Sequence, residues 1–107
     1  MIVDDGGDLS AYATIEAAQN DIEPPDVRNG ALRYHDSTGL VLDAHVDAAG
    51  RTILHPREPK HHEADELLSR VRLLATRVPQ RLVLPADGPP TSWDLPQAVA
   101  WLLRVTG

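Results

Sequence analysis

Apolar and polar residues alternate most cleanly between residues 31 and 55. Leu32 and Tyr34 share one face of that stretch. Leu40, Leu42, Ala44 and Val46 repeat the alternation, with Val41, Asp43 and His45 opposite. A period of two marks a half-buried strand, so the pattern predicts strands over 31–35, 40–46 and 51–55. Two near-identical turns separate them, Asp36-Ser37-Thr38-Gly39 and Asp47-Ala48-Ala49-Gly50. In such turns the aspartate bonds the backbone two residues on, and the glycine supplies a positive φ. The three strands read as an antiparallel meander with one buried face.

Before the meander, Met1 to Val3 is a short apolar start, Asp5-Gly6-Gly7-Asp8 is a turn signal, and residues 9–13 can return as a second strand. Thr14 is placed to cap a helix over about 15–22, with Glu16 in its first turn and Ile15, Ala18 and Ile22 on one side. Pro24-Pro25 is expected to end that helix and to hold Glu23 and Asp26 on a rigid, extended loop. After the meander, Leu67, Val71, Leu74 and Val78 recur at helical spacing. Glu63, Asp65 and Glu66 lie near the start of that stretch, and Arg70, Arg72 and Arg77 toward its end. This order complements a helix dipole and predicts a long helix over about 61–78, stopped by Pro79. Residues 81–84 form a short apolar run that suits a strand. A proline-rich loop follows over 85–91, and a last helix begins near Ser92 or Asp94 and runs to about Arg104. The expected architecture is one α+β domain over residues 1–107, an antiparallel β-meander of three to five strands with two or three helices packed on one face. The 61–78 helix is expected to lay Leu67, Val71 and Leu74 on the meander.

Composition narrows the chemistry. The 107 residues contain no cysteine and no phenylalanine, two tryptophans and two tyrosines. Disulfides, thiolate metal sites and cysteine nucleophiles are excluded. Arginine outnumbers lysine nine to one, a bias that fits a GC-rich bacterial genome. No run approaches the ~18–20 apolar residues that span a bilayer. The opening Met1-Ile2-Val3-Asp4-Asp5 lacks the basic and apolar segments of a signal peptide, so a cytoplasmic location and no membrane partner are expected.

The net charge of −6 is unevenly spread. The first fifty residues hold ten acids and two arginines, and the rest hold six acids and eight basic residues. An acidic half repels a phosphate backbone and suits steering toward a basic protein surface. Acids in turns and helix starts also serve solubility, which is the simpler reading. Five histidines, His35, His45, His55, His61 and His62, are the candidate chemistry. On a helix His62 and Glu66 would lie four residues apart on one face, and with His55 and His61 they could hold a transition metal. A solvated first helical turn explains the same residues. This is not the His-Glu-x-x-His pattern, and neither a nucleophile elbow nor a phosphate loop is present. No cofactor is expected. Trp93, if exposed beside the proline-rich loop, is the kind of side chain that anchors an interface; the core is the other reading for it.

The run Ile22-Glu23-Pro24-Pro25-Asp26-Val27-Arg28-Asn29-Gly30, followed by Tyr34-His35-Asp36-Ser37-Thr38-Gly39, resembles small bacterial immunity proteins of toxin–immunity systems. The resemblance covers roughly residues 8–55. It implies a cytoplasmic protein that binds and neutralises a cognate toxin domain, with no catalytic residues to carry over. Charge and resemblance together point to a binding protein rather than an enzyme, with a basic toxin domain as partner and Glu23, Asp26, Asp36, Asp43, Asp47 and Trp93 as contacts. A small metal-dependent or acid/base enzyme using His55, His61, His62 and Glu66 is the alternative. A self-associating accessory domain, a homodimer through sheet edges or the last helix, is the third reading.

Overall fold

The structure, a computed structural model, describes residues 1–5, 8–30 and 32–106. The expected Gly6-Gly7 turn and Ala31 at the head of the third strand lie outside them. Five strands form one antiparallel sheet: β1 (Ile2–Asp5), β2 (Asp8–Ala11), β3 (Leu32–His35), β4 (Val41–Val46) and β5 (Thr52–Pro56), in the order β2-β1-β3-β4-β5. The meander is present as expected. Its register pairs Tyr34 with Leu42 and Ala44 with Leu54, so their side chains share a face.

Four helices flank the sheet: α1 (Ile15–Asp21), α2 (Pro24–Asn29), α3 (Ala64–Arg77) and α4 (Leu95–Thr106). Thr14 caps α1 by accepting from the Ala17 N–H at 3.1 Å. Pro24 and Pro25 do not make an extended loop. They begin α2, because proline at the first helical positions forfeits only an amide the helix leaves unbonded anyway. α3 starts at Ala64 rather than residue 61. The three residues before it run beside β4, where Val41 N–H donates to the His61 carbonyl at 2.8 Å. The apolar run at 81–84 is not a strand. Residues 79–92 wind through three short 3-10 turns, and Asp94 and Gln97 then cap α4 reciprocally at 2.9 Å.

The helices occupy both faces of the sheet instead of one, and the sequence explains why. β1 lies between β2 and β3 and alternates Ile2 to one side and Val3 to the other, so both of its faces need cover. The meander has a single apolar face, built from Tyr34, Leu42 and Leu54 with Met1 and Val3. Ala18 and Ile22 of the α1 segment fill it. On the other face the meander buries His35 and Val41 but beyond them presents Asp43, His45 and His55, which give the Leu67/Val71 stripe little apolar surface to cover. The Leu67/Val71 stripe therefore goes to Ile2, Leu9 and Ala11 at the β1–β2 end and to Ala98, Trp101 and Leu102 of α4. Burial of about 25 cal/mol per Å² of apolar surface makes that end the favourable one.

Each edge strand has one outward amide taken by a helix side chain. The outward Leu54 N–H of β5 donates to Gln19 Oε1 of α1 at 2.9 Å, and the Ala11 N–H of β2 donates to Thr106 Oγ1 of α4 at 2.8 Å. Pro56 presents no amide at all. Capped edges of this kind discourage strand-to-strand association, so these amides offer a second copy nothing to pair with.

Candidate functional site

Two places on the surface gather polar groups. The first is a cleft of about 570 Å³ between β3 and β4. Those strands pair only at Tyr34–Leu42 and His35–Val41. The antiparallel alternation would make Leu32–Ala44 the next bonded pair, and the ladder stops before it. Arg33, Asp43, Arg57 and Glu63 line the opening on one side of the sheet, and Val27 and Gly30 line it on the other. Arg57 donates to Asp43 at 3.0 Å in a half-exposed pair of small energetic worth.

At the inner end of the cleft His35, 1% exposed, bonds Glu63 Oε1 through Nε2 at 2.8 Å. An ionised carboxylate only accepts, so Nε2 carries the proton. Nδ1 is buried and has no protein partner among the described residues. Glu63 is the N-cap residue of α3, and its own N–H donates to the Gly39 carbonyl at 2.8 Å. The pair thus ties the β3–β4 turn to the start of α3. It orients an imidazole, and no hydroxyl bonds the ring among the described hydrogen bonds.

The Glu63 carboxyl is held below its usual range. The His35 hydrogen bond is the main cause, burial opposes it, and the charges of His35, His61 and Arg33 add to the lowering. A depressed carboxyl contributes stability that is complete above its unfolded value of about 4.3 and is lost as pH falls through the lower folded value. Wild type should therefore lose more stability than Glu63→Gln on acidification from neutral pH to below that window. Urea midpoints across the series check this. Parallel curves would show that the pair adds no pH-dependent stability.

The histidines do not converge as the metal reading requires. His55 stacks on His45 across β4 and β5, with ring centroids 5.2 Å apart. His61 Nε2 lies 3.7 Å from Glu63 Oε2, and His62 faces Leu40 across an isolated bridge. Glu66 is exposed on α3. Because the helix begins only at Ala64, the four-residue spacing of His62 and Glu66 has no helical meaning. Among the described residues no three His, Asp or Glu side chains form a group fit for a metal.

The second place is the surface of α1 and α2, and the acids decide it. Asp36 is consumed by its turn. Its Oδ1 accepts from Thr38 N–H, Thr38 Oγ1 and Leu40 N–H at 2.8, 2.6 and 3.0 Å. Burial pushes its carboxyl up, and these bonds with the His62 charge outweigh that, leaving it below the ordinary value. Asp47 does the same in the next turn, held low chiefly by the Arg51 N–H. Asp43 is occupied by Arg57. Asp21 accepts from the Tyr12 hydroxyl, whose pKa is pushed up to about 12 by burial and then by Asp21. Glu16, Glu23 and Asp26 remain exposed on α1 and α2 without a described hydrogen-bond or ion-pair partner. The charge of Asp26 reaches Tyr34 beneath it, whose hydroxyl is raised first by burial and then by that charge.

Trp93 is not a surface anchor. It is 1% exposed, packs on Trp101 at 5.3 Å between ring centroids, and donates from Nε1 to the Asp87 carbonyl at 2.8 Å. With so few aromatics, the core takes both tryptophans. Sequence reading missed the His35–Glu63 bond. His35 could be placed beside a turn, but nothing in local spacing links it to a carboxylate 28 residues on. Among the described residues no helix is long and apolar enough to cross a membrane. No protein-family model, curated protein or solved structure matches the chain.

Proposed function

We propose that this chain is a protein-binding inhibitor, a cytoplasmic immunity-type protein that neutralises a cognate toxin by docking the toxin's basic surface against the α1–α2 layer. The observation that carries the reading is the division of the acids. Asp36, Asp43 and Asp47 are spent on turns and an ion pair, while Glu16, Glu23 and Asp26 stand exposed on one layer with no side-chain partner among the described residues. The expected contact set of Glu23, Asp26, Asp36, Asp43, Asp47 and Trp93 therefore shrinks to Glu23 and Asp26, with Glu16 exposed on the same side of the sheet. The resemblance to immunity proteins, over roughly residues 8–55, takes in this layer. The proline-started α2 presents Glu23 and Asp26 from a backbone with little freedom left to lose on binding.

Affinity capture from the native bacterium, with the tagged chain at low and then moderate salt, tests the reading. One basic protein, retained in stoichiometric amount at low salt and released as salt rises, is the expected result. Retention of nothing, or of an acidic protein indifferent to salt, would remove its basis.

A further inference from the structure

On the opposite side of the sheet from the acidic layer lies a different surface. Ala75 and Val78 at the end of α3, with Val83, Leu84, Pro85 and Pro90 of the following segment, line an apolar groove of about 670 Å³. Leu84 is 47% exposed there, contiguous with the other apolar side chains of the groove. Arg81 lines the groove, and Arg77 stands on the last turn of α3 beside it. Both guanidiniums are exposed and have no described ion-pair partner.

The groove is held in shape from behind. Asp87 accepts the Leu84 N–H at 2.7 Å and two bonds from Arg104 of α4 at 2.8 and 2.7 Å. Both indoles donate into the same segment, Trp93 to the Asp87 carbonyl and Trp101 to the Leu82 carbonyl, each at 2.8 Å. A proline-rich loop pinned at this many points spends little entropy on binding. Asp87, the one acid in the segment, is neutralised by Arg104, so the rim of the groove is basic.

From this geometry we infer a second docking site, whose occupant is an acidic, apolar peptide segment of a partner protein. A leucine or aromatic side chain fills the floor beside Leu84, and flanking carboxylates reach Arg77 and Arg81. The inference is independent of the acidic layer, since a basic surface on the partner has no complement here.

Selection from a phage-displayed random peptide library against the immobilised full chain tests it. Enriched peptides should carry leucine or an aromatic residue flanked by Asp or Glu. The synthesised winners should bind Arg77→Glu/Arg81→Glu about three- to tenfold more weakly, because each exposed pair is worth little singly. Leu84→Asp should weaken them about tenfold or more. All three side chains are exposed, and far-UV circular dichroism of each variant confirms that the fold is kept. Winners in which lysine replaces the acids should recover on the charge-reversed variant. Glu23→Lys/Asp26→Lys should bind the winners unchanged, which separates this site from the acidic layer. No enrichment, winners indifferent to Leu84→Asp, or self-association of the chain that competes with the winners would overturn the inference.

Discussion

Trp93→Ala is expected to cost about 3–5 kcal/mol of folding stability. The side chain is buried to 1% between the 79–92 segment and α4 and stacks on Trp101. Its indole N–H also satisfies the Asp87 carbonyl, and its own carbonyl accepts from Arg72 of α3. Truncation would remove a large apolar volume and release the loop from the helix at once. For a domain of this size, holding about 5–15 kcal/mol in total, that is a large share. Trp93→Phe keeps most of the volume but not the N–H, and should cost nearer 1–2 kcal/mol. Urea unfolding of the two variants separates the terms. A loss below 1 kcal/mol for the alanine variant would mean that Trp93 is not in the core.

The second large effect separates two turns that look alike in sequence. Gly39 and Gly50 close the paired Asp-x-x-Gly turns with φ of +87° and +79°. Gly50 faces open space, so Gly50→Ala should cost only the left-handed backbone penalty of about 1–2 kcal/mol. Gly39 lies under the start of α3. A Cβ there would stand 2.5 Å from Ala64 Cα and 2.6 Å from Ala64 N, a clash with backbone that no rotamer relieves. Its carbonyl also accepts the Glu63 N–H, so the turn has no slack to retreat. Gly39→Ala should therefore add about 1–3 kcal/mol of overpacking to the same penalty. Matched thermal melts of the two variants give the comparison. Equal losses would show that α3 does not rest on the β3–β4 turn.

The contrast marks where local pattern stops. The meander, Thr14 as a cap, the end of α3 and the place of α4 all follow from alternation, capping residues and dipole-matched charge, which act within a few residues. The prolines at 24 and 25 were legible as a helix stop and are also a helix start, because the same missing amide suits both. The choice of face for α3 depends on which part of the sheet is apolar on that side. That is settled by Ile2, Leu9 and Ala11, more than fifty positions away from the stripe they cover. The candidate site divides in the same way. Asp36 and Asp47 carry turn chemistry that spacing reveals, but Asp43 with Arg57, and His35 with Glu63, meet only once the sheet exists. The basic rim at Arg77 and Arg81 was visible as charge. Leu84 was not visible as an exposed floor, because the apolar run Leu82-Val83-Leu84 reads equally as strand or core.

The central claim is that Glu23 and Asp26 steer a basic partner onto the α1–α2 layer. Exposed charges at an interface act chiefly on the association rate, and salt screens them over about 8–10 Å at physiological ionic strength. The direct measurement is the stopped-flow association rate of the captured partner with wild type and with Glu23→Lys/Asp26→Lys, at low and moderate salt. The account predicts association about tenfold slower for the variant at low salt, a gap that narrows as salt rises, and a dissociation rate that changes less. An association rate identical for the two proteins at low salt would contradict it.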